Sequence, residues 1–238
     1  MLAVAGCGSS SAGTKSVSGS DHTATSTAAG NGSASGSAQR PTPSSIQVPG
    51  CRSVPAPASR AGEQASKPTA HLDPTRSYTV RLVTNCGAIA IQLAVKEAPK
   101  TTSSFAHLVK LGYYNGLTFH RVVAGFVIQG GDPNGDGSGG PSWEIVEPPP
   151  ANLRYTKGVV AMAKGSTEPS GASGSQFFIV TGSNVSLPPV YALVGHVVSG
   201  EKAVEAISRV PTESAPGGGA ASKPKAPMVI ERATLSVR

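Results

Sequence analysis

Charged residues, aromatic residues and long apolar runs are all scarce in this chain of 238 residues. Charged residues make up 14% of the sequence and aromatic residues 5%, and no apolar run approaches the ~18 residues of a transmembrane helix. The net charge of +7 is not gathered into a basic cluster interleaved with aromatic side chains, the pattern typical of nucleic-acid binding. The sequence therefore predicts no membrane-spanning segment and no nucleic-acid partner, and its modest positive charge favours solubility.

Leu, Phe, Tyr and Trp are missing altogether between residues 8 and 71, where Ser, Gly, Ala, Thr and Pro dominate. A segment of this composition cannot bury enough apolar area to offset the entropy of ordering its chain. We therefore predict a disordered tether over residues 8–70. It would join a remnant leader at residues 1–7 to a folded domain at residues 71–238.

The segment Val4-Ala5-Gly6-Cys7 resembles a bacterial lipobox, in which the cysteine is lipidated after a leader is removed. The six residues before Cys7 include no basic residue, whereas a signal peptide has a basic region and an apolar run of roughly 7–15 residues. Either a longer leader exists, or the match is accidental and Cys7 is an ordinary thiol. The tether that follows favours the first alternative. We therefore expect an extracytoplasmic protein, anchored to the bacterial cell membrane by a lipid on Cys7.

Two further cysteines, Cys51 and Cys86, form a natural pair if Cys7 carries a lipid. Outside the cytoplasm such a pair can form a disulfide. Cys86 lies in a predicted turn, and Cys51 lies in a turn-like Pro-Gly-Cys island of the tether. We predict the Cys51–Cys86 bond, with two unpaired thiols as the alternative, because spacing alone does not determine connectivity.

Short runs of β-branched and apolar residues recur after residue 71 and predict strands. These runs cover residues 78–83, 88–93, 122–123, 126–128, 159–163, 177–180, 191–197 and 228–237. A helix is predicted from Pro99, because proline is tolerated in the first helical turn, and it ends at Gly112. A second, shorter helix is predicted over residues 201–207. Periodicity alone thus indicates a β-rich domain with two helices.

The most informative stretch runs from Phe119 to Gly140 and reads FHRVVAGFVIQGGDPNGDGSGG. Two short strands flank a reversal at Ala124–Gly125, Arg121 precedes that reversal, and a glycine-rich loop follows Gln129. Glycines permit positive φ angles and a close approach of the backbone. An arginine held beside Phe126, with an amide side chain nearby, can bind a polar group attached to an apolar ring. The peptide bond preceding proline is such a ligand.

FHRVVAGFVIQGGD resembles the signature of the cyclophilins, which are peptidyl-prolyl cis-trans isomerases. GSQFFI at residues 174–179 and VAMA at residues 160–163 are similar to further blocks of that family, in the same order. Two long blocks in the right order are far more specific than a short motif. The resemblance covers roughly residues 78–237. It implies a mainly β fold, a closed eight-stranded antiparallel barrel capped by two α-helices.

The resemblance also implies a role for individual residues in catalysing rotation about X-Pro peptide bonds. Arg121 is the implied catalytic donor, and Phe126 and Gln129 complete the catalytic group. The implied substrate-binding residues are Val127, Ala163, Lys164, Gln176, Phe178, Leu187 and Tyr191. No cofactor is implied, and we expect a monomer that binds proline-containing peptides and unfolded exported proteins. A non-catalytic proline-binding or chaperone module on the same barrel is the alternative, and the retention of Arg121 favours the enzyme.

Four positions depart from the family pattern. Val127 stands where many members have methionine, Lys164 where asparagine is frequent, Ser186 where many eukaryotic members have tryptophan, and Tyr191 where a histidine is usual. The pocket and the arginine are retained, so these departures bear on catalytic efficiency rather than on the type of reaction.

Two other motifs overlap the glycine-rich loop. Asp132–Gly137 fits the start of a calcium-binding loop, but its twelfth position is Trp143 and no predicted helices flank it. Gly135–Gly140 resembles the nucleophile loop of trypsin-like proteases with one extra glycine. His120 lies too close to it in sequence to fit the order of that catalytic triad. We therefore interpret both motifs as parts of a structural loop and predict no metal site.

Overall fold

The computed structural model describes residues 46–183, 185–214 and 222–238. Its main sheet has eight antiparallel strands. These strands are β1 (Tyr78–Thr84), β2 (Gly87–Leu93), β3 (Arg121–Val123), β4 (Val127–Gly130), β6 (Val159–Met162), β8 (Phe177–Val180), β9 (Leu193–Ser199) and β12 (Ile230–Val237). The helices are α1 (Pro99–Lys110) and α2 (Glu201–Ser208). Two small pairs join β5 (Ile145–Val146) to β7 (Ala172–Ser173), and β10 (Thr212–Glu213) to β11 (Lys223–Pro224).

The main sheet curls into an open half-barrel. Its strands follow the order β12, β1, β2, β9, β6, β8, β4, β3. No ladder joins β12 to β3 in the described part of the chain, so the prediction of a closed barrel is wrong. The edge strand β3 has only three residues, and isolated contacts are found on it and on the segment before it. Val122 N donates to Ser222 O at 2.7 Å, and Thr118 forms single bridges to Asp132 and Val229. The mainly β architecture with two helices is confirmed.

The inner face of the sheet supplies the core, as the alternation in β1 and β2 predicts. The alternate residues Val80, Leu82, Ile89 and Ile91 are completely buried there. Helix α1 covers one part of this core with Phe105 and Leu108. None of the helices in the described ranges is long and apolar enough to cross a membrane.

The N-terminus of α1 is capped by a residue that is distant in sequence. Pro99 occupies its first turn, and Ala98 at the N-cap offers no side-chain hydrogen bond. The Glu147 carboxylate instead accepts the backbone N–H groups of Lys100 and Thr101, at 3.1 and 2.7 Å. A carboxylate at this end also interacts favourably with the helix dipole. Glu147 thereby ties the segment before β6 to the helix.

Residues 46–72, called the strap below, lie against the domain without forming helix or strand. Cys51 is joined to Cys86 by the predicted disulfide, Val48 is buried, and Trp143 Nε1 donates to Ala65 O at 2.7 Å. Residues 46–70, which were predicted to belong to the tether, thus lie in contact with the domain. Composition tells whether a segment can build its own core, but not whether another part of the chain offers it a surface. Residues 8–45 and the predicted lipidation site Cys7 lie outside the described residues.

Candidate functional site

The β3–β4 hairpin supplies the first residues of the candidate site. Its register places Arg121 opposite Gln129, and the next pairing places Gln129 opposite Phe178 of β8. Directly opposed residues of antiparallel strands project on the same face of a sheet. Gly125 turns the hairpin with a φ of 70°, a conformation that other residues adopt at a cost. The predicted strand, reversal and second strand therefore bring a guanidinium, an amide and an aromatic ring together.

A chain of side-chain hydrogen bonds runs from Arg121 into the glycine-rich loop. Arg121 Nη1 donates to Gln129 Oε1 at 3.3 Å, and Gln129 Nε2 donates to Gln176 Oε1 at 3.0 Å. Gln176 Nε2 then donates to the carbonyl oxygens of Gly137 and Gly139, at 2.8 and 2.9 Å. Each amide thus has its orientation set by a partner on either side. The guanidinium of Arg121 is restrained by this chain, while its other N–H groups can donate to a ligand.

The glycine-rich loop is organised around Asp132, whose side chain is buried. Its carboxylate accepts backbone N–H groups from Asn134, Asp136 and Gly137. A Cβ at Gly139 would lie 2.2 Å from Asp132 Oδ1, so only glycine fits there. The segment that looked like the start of a calcium loop is therefore a backbone turn closed by its own carboxylate. Among the described residues, no group of three or more His, Cys, Asp or Glu is placed to hold a metal ion.

An apolar cluster adjoins this network, because Phe178 lies opposite Gln129 in the sheet. Val127 and Phe178 are buried in a cluster separate from the main core. The partly buried predicted residues packed against that cluster are Phe126, Ala163, Leu187 and Tyr191. The rings of Phe178 and Tyr191 meet edge to face, with centroids 5.4 Å apart, an arrangement that aromatic pairs prefer. A partly exposed apolar surface of this kind suits a pyrrolidine ring.

Tyr155, which the sequence analysis did not identify, holds Tyr191 in place. Its hydroxyl donates to Tyr191 O at 2.7 Å and accepts the Tyr191 N–H at 3.0 Å. Burial raises the pKa of Tyr155 to about 12, although the hydrogen bond to the Tyr191 backbone opposes part of that rise. The phenol therefore stays protonated at any physiological pH. No local pattern in the sequence marks Tyr155, because its partner lies 36 residues further along the chain.

His120, the residue before Arg121, was also not predicted. Both of its ring nitrogens are buried without a hydrogen-bond partner among the described residues. Burial lowers the pKa of His120, Asp132 opposes that effect, and the positive charge of Arg121 adds to it. The imidazole is therefore neutral at neutral pH. Arg121 is therefore the charged residue of this pair, and the neutral His120 adds no positive charge beside it.

The positions expected to bind the residues before proline lie beside Gln176. Ala163 N donates to Gln176 O at 2.9 Å, so a peptide contact at Ala163 would have to use its carbonyl group. Lys164 Nζ donates to the carbonyl oxygens of Gly165 and Glu168, both at 2.8 Å, and lies 5.9 Å from the centre of the Tyr191 ring. Its side chain is thus turned onto the protein, which agrees with a main-chain role for this position.

A cavity of about 400 Å³ borders the amide network, with Gln129, Ala163, Lys164 and Gln176 among its lining residues. A separate groove of about 590 Å³ lies between α2 and the β3–β4 turn, and none of the predicted site residues lines it. The structure thus places the hydrogen-bonded network of Arg121, Gln129 and Gln176 beside the apolar cluster that contains Phe178, and together they form one candidate site. Arg121, Gln129 and Gln176 form its polar side, and the aromatic and aliphatic residues form its apolar side.

Comparison with known proteins agrees with this arrangement. The family model described as cyclophilin-type peptidyl-prolyl cis-trans isomerase matches residues 79–235. Peptidyl-prolyl cis-trans isomerase A of Mycobacterium tuberculosis is 35% identical over 181 residues, which cover 68% of this chain and 94% of that protein. The human peptidyl-prolyl cis-trans isomerase-like 1 is 38% identical over 139 residues, 57% of this chain and 82% of that protein.

A similar solved structure is that of a cyclophilin-type peptidyl-prolyl cis-trans isomerase from Cryptosporidium parvum, determined in the presence of the dipeptide Ala-Pro. Its TM-score is 0.60 at 31% sequence identity, and the match covers 66% of this chain and 98% of that one. The part of the chain that precedes the matched domain includes the strap.

Proposed function

The chain belongs to the cyclophilin-type peptidyl-prolyl cis-trans isomerases, and we propose that it catalyses X-Pro rotation with Arg121 as the hydrogen-bond donor. The observation that carries this assignment is the position of Arg121. It is paired with Gln129 at the edge of an apolar cluster that contains Phe178. A cation beside apolar residues, restrained by one neutral amide, is poised to bind an additional acceptor.

The chemistry requires no bond to be made or broken. Rotation about an amide costs ~18–20 kcal/mol because conjugation is lost midway. In the twisted state the prolyl nitrogen regains its lone pair, which a guanidinium N–H can bind. Neither planar isomer offers that lone pair, so this interaction is stronger in the transition state than in the ground state. Only such differential binding raises the rate.

The other site residues hold the substrate. We expect the proline ring to be enclosed by apolar residues of one cluster, namely Phe126, Phe178, Leu187 and Tyr191. Gln129 and Gln176 are positioned to bind the peptide backbone as well as each other. Because these amides are already oriented, little additional order is required when the peptide binds. The Ala-Pro dipeptide present with the Cryptosporidium parvum protein supports a proline-peptide site of this kind.

The direct experiment is cis-trans relaxation of a short X-Pro peptide, measured by exchange NMR with the purified protein. We expect acceleration over the uncatalysed exchange, which takes tens of seconds or more. Binding of the peptide without faster exchange would contradict catalysis and leave a proline-binding module.

We further propose that the protein is exported, carries a lipid on Cys7, and acts as a monomer on unfolded exported proteins. The Cys51–Cys86 disulfide supports an oxidising compartment, and Val4-Ala5-Gly6-Cys7 supports lipidation. Labelling of the host with a fatty-acid analogue should mark the parent protein and not Cys7→Ser. Equal labelling of both proteins would exclude Cys7 as the anchor. The proposed monomeric state is tested separately, by the molar mass from sedimentation equilibrium.

A further inference from the structure

The strap lies before the matched family domain, which begins at residue 79. It therefore brings contacts that the shared domain does not supply by itself. Several of these contacts converge on Arg60 and on the glycine-rich loop. Because that loop binds Gln176, the strap is connected to the peptide site.

The Arg60 side chain makes several contacts at once. Its Nη1 donates to Tyr113 O at 3.0 Å and also to Asn115 O. Its Nε and Nη2 bind the two carboxylate oxygens of Glu63, and its guanidinium carbon lies 5.9 Å from the centre of the Tyr113 ring. A planar guanidinium can satisfy carbonyl, carboxylate and aromatic partners together, whereas a lysine ammonium cannot. Arg60 therefore fastens the strap to the segment that follows α1.

The backbone of the same residue reaches the glycine-rich loop. Arg60 N donates to Pro133 O at 2.9 Å, and the neighbouring Ser59 Oγ donates weakly to Asn134 O at 3.4 Å. Pro133 and Asn134 directly follow Asp132, whose carboxylate closes the loop. The strap thus supports the outer part of the turn that Asp132 organises from inside.

Two routes lead from these contacts to the polar side of the site. In the first, Gly137 donates its N–H to Asp132 and accepts the Gln176 amide at its carbonyl oxygen. In the second, Ser175 Oγ lies 3.5 Å from the Tyr113 hydroxyl and donates to Gly131 O at 2.8 Å. Ser175 immediately precedes Gln176 in the chain. Both routes end at the amide that accepts from Gln129.

We propose that Arg60 is a positioning residue of the isomerase site, acting through the glycine-rich loop and Tyr113 on Gln176, Gln129 and Arg121. This inference rests on the proposed role of Arg121, because Arg60 would affect catalysis only through the position of the Arg121 guanidinium. Arg60 binds no substrate in this scheme. It restrains the carbonyl groups and the backbone that hold Gln176, and so keeps Gln129 oriented as the acceptor for Arg121. In this scheme the strap contributes to isomerase activity through Arg60, rather than serving only as a linker.

The test compares Arg60→Ala and Arg60→Lys with the parent in the full-length protein. The matched control is Arg52→Ala. Arg52 is also a strap arginine with a carboxylate partner, Glu231, but its side chain is 66% exposed. We expect kcat/KM for an Ala-Pro peptide to fall about three- to tenfold in Arg60→Ala, because misplaced catalytic groups are costly. The loss should lie mainly in kcat, because the ring pocket is untouched. Arg60→Lys should restore little, and Arg52→Ala should stay within about twofold of the parent.

A spectroscopic readout separates positioning from general destabilisation. The side-chain amide resonances of Gln129 and Gln176, and the guanidinium resonance of Arg121, should move in Arg60→Ala and not in Arg52→Ala. If Arg60→Ala is unfolded at the assay temperature, Glu63→Gln retains the guanidinium but weakens its anchor, and should move the same resonances by less. An inactive parent would overturn the proposed function, while the amide resonances would still decide whether Arg60 positions them. An active parent, with unchanged kcat/KM and resonances in the folded variants, would overturn this inference alone.

Discussion

Arg121 and Gln129 lie directly opposite each other on β3 and β4, and the guanidinium donates to the amide oxygen at 3.3 Å. The same amide donates onward to Gln176. The Arg121 guanidinium is therefore held by a neutral partner rather than by a carboxylate. A carboxylate partner would bind the guanidinium more strongly and would compete with the substrate for it. In the proposed mechanism two tasks are separate, since Arg121 acts on the twisted amide and the apolar residues bind the proline ring.

Replacement of Arg121 should separate rate from affinity. A charge-assisted hydrogen bond is worth roughly 1.5–3 kcal/mol, and each 1.36 kcal/mol is about tenfold in rate. We expect Arg121→Ala to slow isomerisation by about ten- to a hundredfold while peptide affinity changes by only a few-fold. Arg121→Lys should rescue little, because a point charge lacks the planar fork. Exchange NMR and a binding titration on the same peptide give both quantities.

Phe178→Ala is the comparison for Arg121→Ala. Removal of the Phe178 ring should weaken binding of the proline ring, and peptide affinity should therefore fall together with the isomerisation rate. Each variant must first be shown to be folded by its near-UV circular dichroism. A folded Arg121→Ala protein that isomerises at the parent rate would make Arg121 a structural residue.

Loss of the Tyr155 hydroxyl should loosen the pocket. Tyr155→Phe leaves the backbone N–H and carbonyl of Tyr191 without these partners, at a cost of about 1–3 kcal/mol in the free energy of unfolding. Because the Tyr191 ring packs on Phe178, peptide affinity should also fall a few-fold. Urea denaturation and the peptide titration measure the two effects. Parent-like values in both would mean that other contacts suffice to hold Tyr191.

The same tyrosine predicts a difference at alkaline pH. The pKa of Tyr155 is raised to about 12 in the folded protein, while an unfolded phenol ionises near pH 10. The stability contributed by the neutral phenol is therefore fully present below about pH 10 and is lost as the pH rises towards 12. Tyr155→Phe has no such phenol, so its stability deficit relative to the parent should shrink over that interval. A constant deficit in urea midpoints would contradict the raised pKa.

The Cys51–Cys86 disulfide should contribute strongly to stability. It closes a loop with a sequence separation of 35 residues, which the chain-entropy model values at roughly 3–4 kcal/mol. We expect the double variant Cys51→Ser/Cys86→Ser to lose about that much free energy of unfolding. Denaturant titration measures the loss, and peptide mapping without reductant identifies the linked pair in the parent. Free thiols at both positions in the parent protein would contradict the bond.

Cyclosporin-type macrocycles should inhibit this protein weakly. Ser186 is exposed beside Leu187, where many eukaryotic cyclophilins have a tryptophan whose indole packs on such inhibitors. Aromatic area of that size dominates binding at comparable sites. We expect Ser186→Trp to increase inhibitor affinity by about tenfold or more, while isomerase activity stays close to the parent value. Inhibition of the parent as potent as that of the tryptophan variant would show that this position does not contribute.

The sequence by itself determined the elements whose physical cause is local. The apolar runs on either side of Ala124–Gly125 specify the β3–β4 hairpin, because strand alternation and a glycine turn involve only neighbouring residues. That hairpin contains Arg121 and Gln129, and the GSQFF block contains Gln176 and Phe178, so two local stretches predict residues that the structure brings side by side. Composition was less reliable. Composition indicates that residues 46–70 lack a core of their own, but it contains no information on the domain surface against which they pack.

Only the tertiary structure decided the remaining features, because each joins residues that are far apart in the chain. The Tyr155–Tyr191 contact spans 36 residues, and the contact from Arg60 to Tyr113 spans 53. The open edge of the sheet likewise depends on where Ser222 and Val229 meet the short strand β3 and the segment before it. Propensities and periodicities contain no information about such partners. They are selected by the packing of the whole domain, in which most buried polar groups find hydrogen bonds wherever the fold provides them.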